Sequence, residues 1–199
     1  MTDHDEKHQQ RMAKKKAIVD ARIAAAQEER GILILLKGNG KGKSSSALGT
    51  MARSLGYGKK CAVIQFIKGQ NETGEQRFFQ DHPLVDWHVM GHGFTWETQD
   101  KSQDIAAAEK AWELAAQLLQ DESYDFLLFD EMSYMFKYGY LDVEPVVKAL
   151  QARPKMQNVM ITGRTMATPL QDIADTISTV QEDRHAFRLG VKAQEGIEF

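Results

Sequence analysis

The sequence predicts an α/β domain built on a mostly parallel sheet of about six strands, with helices on both faces and a helical arm before it. Short, wholly apolar runs alternate with helical segments from residue 31 onward. Runs without polar alternation are typical of parallel strands buried on both faces. Their alternation with helices indicates repeated strand–helix–strand units. We therefore predict an arm at residues 1–30 and one domain at residues 31–199.

The arm is polar and rich in Ala, Lys, Glu and Gln, and it contains no Gly or Pro. This composition favours a helix by propensity. Its apolar residues Ile18, Val19 and Ile23 are too few to bury much surface. Two interpretations stay open: a frayed, solvated arm, or a helix that becomes ordered over a partner or ligand.

The elements of the domain follow from apolar runs and their boundaries. The predicted strands lie at 32–36, 62–67, 86–90, 126–129, 159–162 and 176–180, and the predicted helices at 44–55, 102–120 and 144–152. Gly56 and Gly58 end the first helix, and Pro154 closes the last. The helix at 102–120 is the clearest, because Ser102 is a good N-cap and apolar residues recur near helical spacing.

Composition excludes several classes of protein. Hydrophobic residues make up 42% of the 199 residues and charged residues 27%, as in globular rather than disordered chains. The net charge of -3 gives no sign of a nucleic-acid or membrane partner. No apolar run approaches the ~20 residues that span a bilayer, and the charged N-terminus is unlike a secretory signal. A single cysteine, Cys61, suits a reducing compartment, so we predict a cytoplasmic protein.

The strongest motif is the segment GNGKGKS at residues 38–44, between an apolar strand and a helix. Glycines let the backbone wrap closely and turn its N–H groups inward, and the following helix adds its positive end. Lys43 supplies a charge for phosphates, and the Ser44 hydroxyl is placed to bind Mg²⁺. The alternative, a glycine-rich turn with incidental lysines, leaves the coincidence of strand, glycines, Gly-Lys-Ser and helix unexplained.

The spacing of this P-loop is one residue shorter than usual. The common pattern is G-x-x-x-x-G-K-[ST], whereas only three residues separate Gly38 from Gly42, and Lys37 stands where the first glycine is expected. The Lys37 side chain has three open interpretations: it tightens triphosphate binding, points to solvent, or marks a shifted activity.

A second half of the site is predicted at the end of the strand 126–129, where Asp130 and Glu131 follow four apolar residues. Carboxylate oxygens are ligands that Mg²⁺ prefers. Which of the two carboxylates binds the metal stays open. These features predict a P-loop domain that binds ATP or GTP, but one scaffold of this kind serves many reactions.

Several segments, in order along nearly the whole chain, resemble the ATP:corrinoid adenosyltransferases of the cobalamin-synthesis type. They are AAAQEER at 24–30, GNGKGK at 38–43, QFIKG at 65–69, GFTWET at 93–98, Asp130-Glu131 with Tyr134, ITGR at 161–164 and GVKAQEGI at 190–197. The family usually has Thr at the position of Lys37. It usually has two threonines where this chain has Ser44 and Ser45.

The resemblance implies a P-loop enzyme in which Co(I) of a corrinoid attacks the 5′ carbon of ATP. The products are an adenosyl–cobalt bond and inorganic triphosphate. The nucleophile then belongs to the corrinoid, and no protein side chain acts as nucleophile or base. The protein has to position ATP with Mg²⁺, neutralise the leaving triphosphate and exclude water.

The resemblance also implies which residues form the site. The loop backbone from Asn39 to Ser45 holds the triphosphate, and Ser44 with Glu131 or Asp130 holds Mg²⁺. The residues expected to bind ATP through its triphosphate are Gly38, Asn39, Gly40, Lys41, Gly42, Lys43, Ser44, Ser45, Arg53, Lys68 and Arg164. For Arg53 and Lys68, an ordinary surface charge is the alternative.

Phe94 and Trp96 are implied to lie at the lower face of the corrinoid, where an apolar wall favours loss of the lower axial ligand. Their pattern alone favours the alternative that they are core or loop-anchoring aromatic residues. His92 lies beside them, and we do not expect it to be a cobalt ligand, because a strong axial donor would hinder reduction. The arm is implied to fold over the corrinoid. The resemblance also implies a homodimer, in which the arm of one subunit covers the corrinoid of the other.

The partners implied by the resemblance are ATP, a corrinoid and an electron-donating reductase or flavodoxin. Two rival functions stay open. One is a phosphoryl-transfer enzyme or ATPase on the same fold, which releases phosphate or ADP instead of triphosphate. The other is a non-catalytic carrier that binds nucleotide or corrinoid without forming an adenosyl product.

Overall fold

The computed structural model describes residues 3–67, 72–90 and 101–198. The chain divides into two compact units, Met1–Arg30 and Gly31–Phe199. The first unit contains helix α1, Asp3–Ala25. The side chains from residue 5 onward in this helix are exposed, and an ion pair joins Lys16 to Asp20 one turn later. The helix predicted for the arm is therefore present.

The second unit alternates strands and helices. In chain order its elements are β1 Leu33–Lys37, α2 Lys43–Gly56, β2 Cys61–Gln65, α3 Gly74–Phe79, β3 Val85–Val89, α4 Lys101–Gln120, β4 Phe126–Asp130, α5 Ser133–Lys137, α6 Val143–Ala152, β5 Asn158–Thr162, α7 Thr168–Asp172, β6 Thr176–Thr179 and a 3₁₀ turn at Ala186–Leu189. Each predicted strand and helix is found, with ends that differ by at most two residues.

The six strands form one sheet in the order β3-β2-β4-β5-β1-β6, and every neighbouring pair is parallel. The predicted sheet is confirmed. Strand β5 lies between β1 and β4, so the end of β5 separates the phosphate loop from the acidic strand end. In the register, Leu36 of β1 pairs with Thr162 of β5. The three strand ends therefore meet at one edge of the sheet.

Both faces of the sheet are covered, as the apolar runs predicted. Leu127 and Phe129 of β4 pack in one core cluster with residues of α4 and α6. Phe126 and Leu128 pack in the opposite cluster with residues of α2 and α3. All five residues of β4 are buried. Alternate side chains thus enter two cores, which is why the run has no polar position before Asp130.

Three short helices, α3, α5 and α7, and the 3₁₀ turn were not predicted. They contain four to six residues each, too few for a helical repeat of apolar positions to show. Among the described residues, no helix is long and apolar enough to cross a membrane.

Candidate phosphate and metal site

The loop between β1 and α2 is held against the backbone that follows β6. The Gly40 N–H donates to the Val180 carbonyl at 2.9 Å. A Cβ atom on Gly38 would lie 2.3 Å from the Val180 oxygen, and one on Gly40 would lie 2.3 Å from the Gln181 oxygen. Gly38 also has a φ of 114°. Gly38 and Gly40 are therefore required by close backbone approach to the segment after β6, a partner that the sequence did not identify.

Lys43 is the first residue of α2 and its side chain is buried. Its ammonium group donates to the Gly40 carbonyl at 2.8 Å, inside the loop. Burial lowers the pKa of Lys43, and the Arg164 charge adds to this effect, whereas Glu131 and Asp130 oppose it. The ammonium group thus sits where a phosphate bound by the loop would neutralise it.

Asp130 is the buried last residue of β4, and two hydroxyl groups share one of its oxygens. Ser44 Oγ donates to Asp130 Oδ1 at 2.8 Å, and Thr162 Oγ1 donates to the same atom at 2.7 Å. These bonds join the start of α2 to the ends of β4 and β5. Asp130 therefore lies in the interior of the site, with one oxygen already used by the protein.

Glu131 follows at once and has a different environment. Its φ is 57°, and it is the one non-glycine residue in the described part of the chain with a positive φ. Its N–H donates to Thr162 Oγ1 at 2.9 Å. Its Oε2 is buried without a hydrogen-bond partner among the described residues. Burial raises the pKa of Glu131 to about 7, and the Asp130 charge adds to this, against Lys43 and Arg164.

This donor set fits a magnesium ion carried by a phosphate. No group of three or more His, Cys, Asp or Glu in residues 3–67, 72–90 and 101–198 could hold a metal by itself. Mg²⁺ does not need such a group, because it binds through one or two carboxylates, water and substrate phosphates. An unpartnered buried carboxylate oxygen on Glu131, near the Ser44 hydroxyl that Asp130 fixes, matches that pattern.

Arg164 follows β5 and reaches the same edge of the sheet. Its carbonyl accepts from the Gly38 N–H at 3.0 Å, and its charge acts on both Lys43 and Glu131. Burial raises the pKa of Tyr134, against a hydrogen bond from Arg164. The structure therefore places the Arg164 backbone beside the loop and its charge within reach of Lys43 and Glu131, and its contact with a triphosphate stays a prediction.

A cavity of about 570 Å³ opens beside the loop, within the range of about 300–1,000 Å³ typical of small-molecule sites. Ser45 and Leu48 of α2 line one side, and Phe78 of α3 lines another. Residues 196–198 complete the wall, and the Glu198 carboxylate pairs with Lys41 Nζ at 2.7 Å. The exposed Asn39 lies on the loop as predicted.

Two further cations, Lys37 and Arg53, have surroundings of their own. Lys37 Nζ donates to the Gln171 side chain at 2.5 Å, so the side chain is bonded to α7 and neither points freely to solvent nor reaches the loop. Arg53 is exposed in the last turn of α2, ten residues after Lys43. Ten residues of helix rise about 15 Å, so Arg53 lies well along α2 from the loop, and its expected contact with the triphosphate stays a prediction.

Four predicted or considered residues lie outside the described residues: Lys68, His92, Phe94 and Trp96. Their expected roles stay predictions. Conversely, the structure places two residues at the site that were not predicted there, Thr162 and Glu198. Thr162 was part of a resembling segment but had no assigned role, because only the strand order places it between the loop and the two carboxylates.

The glycine loop, the buried lysine and the carboxylates beyond an intervening strand place the second unit among the P-loop NTPase-like α/β proteins. A family model described as ATP:corrinoid adenosyltransferase BtuR/CobO/CobP matches residues 29–199. The chain belongs to this family, which confirms the family predicted from the sequence. A second model, described as Cob(I)alamin adenosyltransferase N terminal, matches residues 1–23.

Relatives in several bacteria match along almost the whole chain. A corrinoid adenosyltransferase of Pseudomonas aeruginosa is 51% identical over 198 residues, which cover 99% of this chain and 98% of the relative. The corrinoid adenosyltransferase of Escherichia coli K12 is 48% identical, covering 98% and 99%. Corrinoid adenosyltransferase CobA of Salmonella typhimurium is 49% identical with the same coverage.

Proposed function

We propose that the protein transfers the 5′-deoxyadenosyl group of ATP to the Co(I) of a corrinoid substrate and releases inorganic triphosphate. The observation that carries the proposal is the match of residues 29–199 to a family named for this activity. The phosphate loop supports it, because the buried Lys43 ammonium group, which donates to the Gly40 carbonyl inside the loop, suits a triphosphate. An adenosyltransferase must stabilise a triphosphate leaving group, and this loop supplies that stabilisation.

In the proposed reaction the cobalt electron pair forms the bond to the 5′ carbon, and the bond from that carbon to the α-phosphate oxygen breaks. The oxygen leaves with its electron pair on triphosphate. Lys43 and the loop N–H groups stabilise the charge that develops there. The protein contributes position and electrostatics, since the nucleophile belongs to the substrate.

We assign the metal ligands as the Ser44 hydroxyl and the Glu131 carboxylate, with Asp130 as the residue that orients Ser44. This assignment is supported by the bonds at Asp130 Oδ1 and the unpartnered Glu131 Oε2. Mg²⁺ bound there would offset the charge of the triphosphate.

Corrinoid contacts of Phe94 and Trp96, and a role for Lys68 at the phosphates, belong to the same proposal. So does a cover over the corrinoid formed by the arm in a homodimer. Ile18, Val19 and Ile23 are exposed on α1, and residues 1–23 match a model named for this family's N-terminus. Both findings support a functional arm. The electron donor, a reductase or flavodoxin, and the cytoplasmic location stay predictions.

The proposal is tested by anaerobic incubation with ATP, Mg²⁺ and chemically reduced cob(I)alamin, followed by absorbance and a triphosphate assay. We expect adenosylcobalamin and triphosphate in equal amounts. We expect the Lys43→Ala variant to lose at least about a hundredfold in kcat/KM, as when one transition-state donor is removed. Release of ADP and phosphate without an adenosyl product would instead indicate an ordinary P-loop hydrolase or kinase. Binding of both ligands without any product would indicate a carrier.

A further inference from the structure

Thr162 is the last residue of β5, the strand inserted between the loop strand β1 and the acidic strand β4. Its side chain is fully buried. Neighbouring parallel strands bring their ends to one edge, so Thr162 lies between the ends of β1 and β4, and its hydroxyl meets the Ser44 hydroxyl at Asp130 Oδ1. Its position follows from strand order and is invisible in the spacing of the motif.

The Thr162 hydroxyl is used twice. It donates to Asp130 Oδ1 at 2.7 Å and accepts from the Glu131 N–H at 2.9 Å. A hydroxyl has one proton to donate and lone pairs to accept, so a single Oγ atom holds two consecutive residues in different ways. It fixes a side chain at Asp130 and a peptide group at Glu131.

The second bond acts on an unfavourable backbone conformation. A φ of 57° at Glu131 is uncommon for a residue with a side chain, and such residues persist where surrounding contacts enforce them. Three hydrogen bonds hold the backbone here: the Glu131 N–H donates to Thr162 Oγ1 at 2.9 Å, the Asp130 carbonyl accepts from the Phe66 N–H at 3.1 Å, and the Glu131 carbonyl accepts from the Tyr134 N–H at 3.3 Å. Of these, the bond to Thr162 is the one made by a side chain, so a substitution can remove it. Glu131 follows the last residue of β4, and its Oε2 has no hydrogen-bond partner among the described residues.

We propose that Thr162 is a positioning residue for Mg²⁺-dependent ATP binding. Its hydroxyl holds Glu131 in the left-handed turn and occupies Asp130, so that Glu131 presents its carboxylate to the cation that accompanies the triphosphate. This inference rests on the proposed function only through its Mg·ATP site, and it does not require adenosyl transfer.

The contrasting role is purely structural, since a satisfied buried threonine also stabilises the end of a sheet. The two roles differ in what they do to the metal. A structural residue changes the free energy of unfolding and leaves the gain in ATP affinity from Mg²⁺ intact. A positioning residue reduces that gain, and it does so only while Glu131 is present.

The experiment measures the dissociation constant of ATP by calorimetry in EDTA and in Mg²⁺, with Tm recorded for each variant. Thr162→Val keeps the shape and removes the hydroxyl, and Thr162→Ser keeps the hydroxyl. We expect Thr162→Val to reduce the Mg²⁺-dependent gain about tenfold, the size of a lost hydrogen bond of a charged group, with affinity in EDTA unchanged. Thr162→Ser should retain the gain. Thr176→Val, on the exposed edge strand β6, is the matched control.

A double-mutant cycle with Glu131→Gln separates the roles further. If Thr162 acts through Glu131, the Thr162→Val, Glu131→Gln double variant binds Mg·ATP no more weakly than Glu131→Gln alone. Additive losses, or an unchanged Mg²⁺ gain in Thr162→Val, overturn the proposal. If Thr162→Val does not fold, Thr162→Ala takes its place. We expect the same reduction of the Mg²⁺-dependent gain, and the same contrary results would overturn the proposal. Failure of the adenosyl-transfer assay with intact Mg·ATP binding would reject only the proposed function.

Discussion

Strands β4 and β6 both end beside the phosphate loop, yet they support it in opposite ways. All five residues of β4 are buried, and its support comes through the carboxylate of Asp130, which accepts from Ser44. All four residues of β6 are exposed, and its support comes through the backbone that follows, where the Val180 carbonyl accepts from Gly40. One side of the loop is held by side-chain chemistry and the other by backbone contact.

This difference determines how each side can be disturbed. Side-chain support is removed by a substitution that keeps shape and deletes a polar group. Backbone support offers no such group, and it is disturbed only when an added side chain on the loop pushes the two backbones apart. The largest effects are therefore expected from the smallest substitutions, at the glycines.

A series of three glycine-to-alanine variants tests the backbone side. Gly38→Ala combines a φ of 114° with a Cβ atom 2.3 Å from the Val180 oxygen, and we expect a loss of about 3 kcal/mol or more in the free energy of unfolding. Gly42→Ala has a φ of 113° but open space, and should lose about 1–3 kcal/mol. Gly49→Ala lies inside α2 with open space and should gain up to about 1 kcal/mol.

Urea denaturation measures the three values under one condition. If Gly38→Ala is no less stable than Gly42→Ala, the close approach to the strand end of β6 contributes nothing, and the contrast between β4 and β6 is lost. A loss in Gly49→Ala would show that α2 itself, rather than the loop, is sensitive to substitution.

The side-chain support predicts a pH effect of intermediate size, measured without metal. The pKa of Glu131 is about 7 in the folded protein against 4.5 for the free group, so the folded state keeps a proton that the unfolded chain releases. This contribution to stability is complete below about pH 4.5 and falls as pH rises to 7, by up to about 3 kcal/mol. Glu131→Gln should remove this dependence of the free energy of unfolding on pH, and the variant should be more stable than the wild type at pH 7.5.

Free energies of unfolding at pH 5 and pH 7.5, in EDTA, decide this point. Asp130→Asn is an informative comparison because it removes the neighbouring charge that adds to the raised pKa of Glu131. Asp130→Asn should lower the pKa of Glu131, and it should reduce only in part the fall of the free energy of unfolding with pH. An equal slope in wild type and Glu131→Gln would mean that another group titrates, and the assignment of the buried carboxylate would be wrong.

The same contrast explains what the sequence could predict. The loop, Lys43 and the carboxylates at Asp130 and Glu131 were predictable because each lies on or next to a wholly apolar run, and a buried strand leaves that mark on its own residues. The six strands followed from the same signal. Family membership followed from short segments spread along the chain, each of which carries residue identities.

Contacts between segments that are distant in the sequence produce no such local pattern of residues. The order of the strands decides that Thr162 lies between the loop and the carboxylates, and no local pattern encodes that order. The alignment of Gly38 with Val180 depends on backbone atoms, which have no residue identity. Arg53 was expected at the site from the family resemblance, with a surface charge as the alternative, and it lies exposed in the last turn of α2. Lys37 is bonded to Gln171, a partner 134 residues away.

The smallest predicted effect concerns a third support of the loop, from the C-terminal segment. Glu198 pairs with Lys41 at 2.7 Å at the wall of the cavity, so a carboxylate holds a loop cation that a triphosphate would also attract. Glu198→Gln should tighten ATP binding a few-fold at low salt, with less change at high salt, because exposed ion pairs are weak and screened. Glu195→Gln, in the same exposed segment, is the matched control. Calorimetric titration with ATP at two salt concentrations measures the difference. Weaker binding in Glu198→Gln would show that this carboxylate helps to shape the site rather than to compete for Lys41, and would make the C-terminal segment a support of the same kind as β4.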